Sequence, residues 1–332
     1  MKQILNYLYE HKTLDRENAK KVLTNIAQGT YNHSQIASFI SVYLMRSITV
    51  EELSGFREAL LELCIPVDLS GYETIDLCGT GGDGKDTFNI STLTSFVVAG
   101  AGAKVAKHGN YGVSSACGSS NLMEYAGYKF SSDPSRLREE IDKAGICFLH
   151  APLFNPAMKN VAPVRKELGM KTFFNMLGPM VNPSFPSKQM VGVYSLELAR
   201  LYGYLYQQTD KQYVILHSLD GYDEVSLTGP CKVITREMDR VFQPSDLGLP
   251  AYSPEELSGG GTVDEAMKIF INVLENIATP ARTDVVVANA GLALQICFPD
   301  LSLEDCMAKA RESIESGSAF HAFKTLMELN KE

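Results

Sequence analysis

The chain has 332 residues, of which 45% are hydrophobic and 21% are charged. This composition is ordinary for a globular protein, and the length suits a large domain with a smaller companion. The net charge of -9 disfavours a nucleic-acid partner, because binding a phosphate backbone requires a basic surface. No apolar run approaches the roughly 20 residues of a membrane span, so we expect no membrane contact. The seven cysteines form no CxxC pair, which favours a reducing, cytoplasmic compartment over a zinc or disulfide framework.

Residues 1–70 predict a small, all-helical domain of about four short helices. In SQIASFISVYLM, residues 34–45, apolar residues recur at spacings of three and four and form one stripe. Asp15 is a predicted N-cap, and Thr49 with Glu52 has the pattern of a capping box, in which two backbone groups are satisfied reciprocally. We expect a returning segment at about 171–183 to complete this domain.

Residues 71–332 predict a large α/β domain with a central mixed sheet flanked by helices. Strand-like runs such as AKVAKHG (103–109), QMVGVYS (189–195) and KQYVILHS (211–218) alternate with helical stretches. The last third of the chain is mostly helical, and SGGGTV at 258–263 has the composition of a linker.

A glycine-rich loop joins the predicted strand TIDLC (74–78) to a predicted helix that begins NIST (89–92). Such a loop offers backbone N–H groups and the positive end of a helix dipole to an anion. Gly79, Gly81 and Gly84 formally satisfy the GxGxxG dinucleotide fingerprint. However, no Asp or Glu occurs from residue 87 to 123, where the fingerprint requires an acid for the ribose hydroxyl. The loop therefore predicts a phosphate site without a nicotinamide cofactor.

A second loop of this kind follows the next predicted strand, in KHGNYGVSSACGSSNLMEYAG (107–127). Lys107 supplies a cation, the serines supply neutral donors, and a helix is predicted to begin at Gly118 and Ser119. Each loop alone is equally compatible with a tight strand-to-helix connection capped by serines. Together, within a window free of acids, they predict a substrate with phosphates at both ends.

Four ordered blocks carry a resemblance to a known family. CGTGGDG with TFNIST, and KHGN with the following serines, are succeeded by NPAMKNVAPVRKELGMKTFFNMLGPMVNP (155–183) and DGYDEVSLTGP (220–230). These blocks cover most of the chain and resemble the anthranilate phosphoribosyltransferases of the nucleoside phosphorylase and phosphoribosyltransferase superfamily. The resemblance implies transfer of a phosphoribosyl group from 5-phosphoribosyl 1-diphosphate (PRPP) to the amino group of anthranilate, in tryptophan biosynthesis. It also implies a Mg²⁺ cofactor and a homodimer formed through the helical domain.

The resemblance also implies three sets of site residues. The PRPP site comprises Gly79, Gly82, Asp83, Thr87, Asn89, Ile90, Ser91, Thr92, Lys107, His108, Gly109, Asn110, Tyr111, Gly112, Val113, Ser114, Ser115 and Ser119. The anthranilate site comprises Gly79, Asn110 and Arg165, and the magnesium site comprises Ser91, Asp223 and Glu224. These roles suit the chemistry, because carboxylate and hydroxyl oxygens are the ligands that Mg²⁺ prefers, and a planar guanidinium binds a carboxylate through two bonds.

We assign no general acid or base. The aromatic amine of anthranilate is unprotonated at neutral pH, and the departing diphosphate needs charge stabilisation, so catalysis should be electrostatic and positional. His108 is tempting as a base, but its place in the KHGN loop fits phosphate binding better.

The chain departs from the family pattern at four positions. Tyr111 replaces a common Arg, His150 a Phe, Asn155 a His, and Asn121 an Asp. These changes bear on anthranilate specificity more than on PRPP use. Two alternatives therefore stay open, namely a pyrimidine nucleoside phosphorylase and a non-catalytic relative that binds nucleic acid.

Overall fold

A computed structural model describes residues 1–112 and 117–331. The chain divides into two compact units, the first formed by Met1–Val67 and Ala151–Phe185 and the second by Asp68–His150 and Pro186–Glu332. Among the described residues, no helix combines the length and apolar character that a membrane crossing requires.

The helices and strands follow one another in the alternating order that the sequence predicts for the second unit. The α-helices are α1 Lys2–Tyr9, α2 Arg16–Ala27, α3 His33–Met45, α4 Val50–Leu63, α5 Ile90–Gly100, α6 Ser119–Tyr125, α7 Pro134–Ala144, α8 Ala151–Phe154, α9 Ala162–Leu168, α10 Phe174–Leu177, α11 Leu196–Gln207, α12 Val263–Leu274, α13 Pro280–Cys297, α14 Leu303–Glu315 and α15 Ser318–Leu329. The strands are β1 Thr74–Gly79, β2 Lys104–Gly109, β3 Ile146–His150, β4 Lys188–Gly192, β5 Gln212–Ser218, β6 Cys231–Thr235 and β7 Asp239–Phe242.

The predicted helix starts of the first unit are confirmed. The Asp15 side chain accepts a hydrogen bond from the Asn18 N–H at 2.8 Å and caps α2. The Thr49 side chain accepts from the Glu52 N–H while the Glu52 carboxylate accepts from the Thr49 N–H at 3.0 Å, which is a capping box for α4. The Glu52 carboxylate is buried and also binds both terminal nitrogens of Arg46. One local motif therefore also anchors the end of α3.

A returning segment, residues 151–185, belongs to the first unit. Its Asn160 side chain donates to the carbonyl oxygen of Ala27 at 2.8 Å, and its Phe173 ring stacks on Phe56 with centroids 4.7 Å apart. The segment thus begins well before residue 171, where the sequence places it, and residues 151–170 pack with the helices rather than with the sheet. Their attachment depends on bonds to α2 and on aromatic packing, which no local pattern signals.

The second unit contains the predicted mixed sheet, with strand order β3-β2-β1-β4-β5-β6-β7. Neighbouring strands from β3 to β5 are parallel, whereas β6 and β7 are antiparallel additions. Strand order reverses beside β1 and β4, whose last residues Gly79 and Gly192 are paired. In open parallel sheets, ligands bind beyond the carboxyl ends of the strands at such a reversal. The loops after β1, β2, β4 and β5 therefore meet where a ligand is expected.

Candidate active site

The glycine loop, residues 79–89, connects β1 to α5 and has an unusual backbone. Gly81, Gly82 and Gly84 have φ angles of 62°, 77° and 73°, in the left-handed region that glycine adopts without strain. A residue with a side chain would be strained in this backbone conformation, and its side chain would occupy space beside any bound anion. The loop ends at α5, whose first turn carries no acidic residue. Its backbone N–H groups and helix dipole favour a negatively charged ligand.

A distant segment holds the second half of the glycine loop. Thr87 pairs with Ser258 as an isolated antiparallel bridge, and the Gly259 N–H donates to the carbonyl oxygen of Asp86 at 2.9 Å. Gly259 allows this contact, because a Cβ there would lie 2.6 Å from the Thr87 carbonyl oxygen. The interpretation of 258–263 as a linker is therefore wrong for its first residues. Its glycines reflect close backbone approach, a cause that composition does not distinguish from flexibility.

The second loop, residues 110–118, is described only at its two ends. The Asn121 side-chain oxygen accepts from the Gly112 N–H at 2.9 Å and from the Gly118 N–H at 3.1 Å. Asn121 therefore joins the two ends of the loop through its oxygen alone, a role that the more common Asp also fills. The Asn89 side chain donates to the carbonyl oxygen of Cys117 at 3.0 Å and connects the second loop to the glycine loop.

Two of the departures from the family pattern are in contact. The Tyr111 ring lies 4.9 Å from the His150 ring, and the Tyr111 hydroxyl donates to Glu124 at 2.7 Å. His150 stacks on Phe130 at 4.2 Å and hydrogen-bonds the Ser120 hydroxyl at 2.9 Å. Burial lowers the pKa of His150, which keeps the ring neutral near pH 7. Tyr111 and His150 therefore form one aromatic cluster beside the second loop.

The acidic segment, Asp223–Ser226, follows β5 and meets the glycine loop. The Gly81 N–H donates to the Asp223 carboxylate at 2.8 Å. A Cβ at Gly79 would overlap this carboxylate, and a Cβ at Gly192 would overlap the Asp223 backbone oxygen. The backbone of Ser91 lies close enough to the Glu224 carboxylate to oppose the rise in its pKa. The predicted magnesium residues Ser91, Asp223 and Glu224 are thus brought together, and the two strand-end glycines make room for Asp223.

The carboxylates of Asp223 and Glu224 lie in surroundings that disfavour their ionised form. Asp223 is 7% exposed and Glu224 is 8% exposed. Burial, followed by the nearby Asp83 carboxylate, raises the pKa of Asp223 to about 7. Burial, followed by the charge of Asp223, raises the pKa of Glu224 well above its ordinary range. Three acids close together and mostly buried are stabilised by a divalent cation.

The donor set therefore fits Mg²⁺, which prefers oxygen ligands and retains several waters or substrate oxygens. Within residues 1–112 and 117–331, no group of three or more His, Cys, Asp or Glu side chains is arranged as a complete metal site. Asp223 and Glu224 would thus share the ion with oxygen atoms of water or substrate.

Lys107 lies next to the acidic segment rather than free to bind a ligand. Its side chain is 1% exposed and its ammonium donates to the carbonyl oxygen of Leu77 at 2.6 Å. Burial lowers the pKa of Lys107, while the charges of Asp76 and Glu224 oppose this. Its positive charge thus acts on the buried carboxylates of Asp76 and Glu224.

Arg165 belongs to α9, in the first unit, whereas the loops above belong to the second. Its guanidinium donates to the Asn175 side chain at 3.4 Å and lies 5.6 Å from the Phe174 ring. Partial burial lowers the pKa of Arg165. A half-buried guanidinium is suited to binding an anionic ligand. Asn155, in the same unit, has a buried side-chain oxygen with no partner among the described residues.

The predicted site residues fall on a few elements. Gly79 ends β1; Gly82, Asp83, Thr87 and Asn89 lie in the glycine loop; Ile90, Ser91 and Thr92 begin α5; Lys107, His108 and Gly109 end β2; Asn110, Tyr111 and Gly112 begin the second loop; and Ser119 begins α6. Val113, Ser114 and Ser115 lie outside the described residues. Sequence reasoning missed Gly192, Ser258 and Gly259, because all three act through contacts with residues remote in the chain.

The class of protein follows from two matches to known domain families. Residues 2–64 match the model of the glycosyl transferase family, helical bundle domain, and residues 71–320 match the glycosyl transferase family, a/b domain. These matches define a glycosyl transferase.

Individual relatives define the family. Anthranilate phosphoribosyltransferase of Cytophaga hutchinsonii is 61% identical over 98% of this chain and 99% of its own length. The crystal structure of anthranilate phosphoribosyltransferase from Thermus thermophilus matches with a TM-score of 0.92 at 30% identity, covering 99% of both chains. That from Saccharomyces cerevisiae in complex with PRPP and Mg matches with a TM-score of 0.88 at 26% identity, covering 96% of this chain and 94% of the yeast chain. This chain belongs to the anthranilate phosphoribosyltransferase family. The predicted fold and enzyme class are confirmed, and the two alternatives are disfavoured.

Proposed function

We propose that this chain transfers the phosphoribosyl group of PRPP to the amino group of anthranilate and releases diphosphate, in tryptophan biosynthesis. The observation that carries the proposal is the meeting of the glycine loop, the start of α5 and the buried acidic segment in one place. Membership of the family supports the identity of both substrates. The seven free cysteines fit a reducing cytoplasm, and the family resemblance supports a homodimer.

On the donor side, the chain would bind PRPP through backbone groups. The N–H groups of the glycine loop and of the first turn of α5 attract phosphate oxygens, and Asn89 keeps the second loop beside them. Ser91, Asp223 and Glu224 would hold Mg²⁺, which when bound neutralises charge on the diphosphate. The hydrogen bond from Gly81 to Asp223 fixes the glycine loop and the carboxylate relative to each other before substrate arrives.

On the acceptor side, Arg165 would bind the anthranilate carboxylate through its planar guanidinium. The amine attacks the anomeric carbon as the bond to diphosphate breaks, and the amine proton passes to solvent or to the departing diphosphate. No side chain needs to act as a general base. The protein instead contributes orientation and preorganised charge.

The loss of anthranilate fluorescence on mixing with PRPP tests this function. We expect a loss with Mg²⁺ and none with excess chelator. The variant Asp223→Asn/Glu224→Gln should lose activity, since it keeps the shape of the acidic segment but removes its charge.

Asp220→Asn is the matched control, because Asp220 is an exposed carboxylate of the same turn that accepts a hydrogen bond from the Thr228 hydroxyl. It should retain wild-type activity. A wild-type protein that consumes no anthranilate while PRPP binds by calorimetry would refute the proposed acceptor.

A further inference from the structure

Residues 224–226 belong to no strand in the described part of the chain, and two side chains hydrogen-bond their backbone. The Ser218 hydroxyl donates to the Glu224 carbonyl oxygen at 2.6 Å and accepts from the Ser226 N–H at 3.2 Å. The Asn289 side-chain oxygen accepts from the Val225 N–H at 3.1 Å, and its amide nitrogen donates to the Val225 carbonyl oxygen at 2.9 Å. Asn289 thus pairs with Val225 as a neighbouring strand would.

Asn289 is itself held rigidly. It lies in the middle of α13, is 0% exposed, and uses its second amide hydrogen to bond the Val285 carbonyl oxygen at 2.8 Å. Burying a primary amide is unfavourable unless its groups are paired, and here one acceptor and two donors are paired. The acidic segment is therefore attached to a long, buried helix at the residue directly after Glu224.

We propose that Asn289 is a positioning residue for the carboxylates of Asp223 and Glu224. By holding Val225 from one side, while Gly192 admits the Asp223 backbone from another, it directs the two carboxylates towards the Gly81 N–H and the start of α5. Asn289 is fully buried and would act through Val225 rather than by contact with a substrate. The inference rests on the proposed function, because the bonds between Asn289 and Val225 are taken to serve the binding of a divalent ion by the two carboxylates.

Asn330, a buried asparagine of the same unit, serves as the comparison for a purely structural role. Asn330 accepts from the Lys129 N–H at 2.7 Å and donates to the Lys129 carbonyl oxygen at 3.2 Å. Asn330 is also buried, and the segment it holds carries none of the proposed site residues. Loss of either asparagine side chain removes the same pair of bonds, but only one pair adjoins the acidic segment.

The test compares Asn289→Ser with Asn330→Ser in the full-length protein. A serine in α13 can still bond the carbonyl oxygen four residues earlier, but it is too short to reach Val225. Binding of Mn²⁺ alone is measured by the electron paramagnetic resonance signal of the free ion, together with both substrate KM values and the thermal midpoint. Second-sphere substitutions typically weaken metal binding 10- to 100-fold.

We expect both variants to lower the thermal midpoint by similar amounts. Only Asn289→Ser should raise the Mn²⁺ Kd and the PRPP KM about tenfold or more, with the anthranilate KM within about twofold of wild type. Should Asn289→Ser fail to fold, Ser218→Ala, which removes the other two bonds to the segment, should raise the Mn²⁺ Kd in the same way.

An unchanged Mn²⁺ Kd in Asn289→Ser overturns the proposal, and so does an equal rise of the Kd in Asn330→Ser. If Asn289→Ser does not fold, an unchanged Mn²⁺ Kd in Ser218→Ala overturns the proposal instead. Failure of the proposed function has a different signature. In that case wild-type protein binds no Mn²⁺ at millimolar concentrations, or Asp223→Asn/Glu224→Gln binds it as tightly as wild type.

Discussion

Glu140 of α7 takes no part in the proposed chemistry, yet its burial predicts a measurable dependence of stability on pH. Its carboxyl group is fully buried, accepts from the Tyr128 hydroxyl at 2.8 Å and lies 3.4 Å from the Arg136 Nε. Burial raises the pKa of Glu140 from 4.5 to about 7, because the bonds from Tyr128 and Arg136 only partly offset desolvation. The substitution that tests this is Glu140→Gln.

The sign follows from proton binding. Between pH 4.5 and about 7 the folded protein keeps a proton on Glu140 that the unfolded chain has lost, so the free energy of unfolding falls as pH rises. At about 1.4 kcal/mol for each pKa unit, the full loss above pH 7 is about 3 kcal/mol. Glutamine stays neutral but cannot replace every acceptor, at a cost of about 1 kcal/mol. Glu140→Gln should therefore stabilise the protein by about 2 kcal/mol at pH 8 and not at pH 5.

Urea unfolding followed by circular dichroism at pH 5, 6, 7 and 8 measures this difference. The adjacent Glu139 is the matched control, since it is exposed and pairs with Lys143 at 2.5 Å, so Glu139→Gln should change stability by less than about 0.5 kcal/mol. If Glu140→Gln destabilises the protein equally at pH 5 and pH 8, Glu140 is ionised in the folded state throughout, and the reasoning is refuted.

Two further predictions concern the proposed site. Gly79→Ala should lower kcat/KM for PRPP about 10- to 100-fold in steady-state assays, because the new methyl group displaces the Asp223 carboxylate and breaks its bond to Gly81. Unchanged kinetics would mean that the carboxylate position is unimportant. Arg165→Lys should raise the anthranilate KM about tenfold while leaving the PRPP KM unchanged, since lysine keeps the charge but not the planar fork. Equal changes in both KM values would contradict an acceptor role for Arg165.

Local sequence was sufficient to predict several parts of this protein. The starts of α2, α4, α5 and α6, the glycine loop between β1 and α5, and the alternation of strands and helices all depend on interactions within a few residues. The Asp223–Glu224 pair was also singled out, although through family resemblance, since an acidic turn by itself is more often a solvated surface feature.

Other features depend on residues that only the folded chain brings together. The bond from Gly81 to Asp223 joins positions 142 apart, and that from Asn289 to Val225 joins positions 64 apart. Strand order decides which loops share an edge of the sheet, and Gly192 is required only because Asp223 passes over it. Nothing in the apolar run around Asn289 indicates that its amide completes the backbone of another segment. Sequence by itself thus determined the local elements and the kinds of chemistry available, whereas the arrangement of the carboxylates was decided by tertiary packing, because hydrogen bonding between distant groups leaves no periodic trace in the chain.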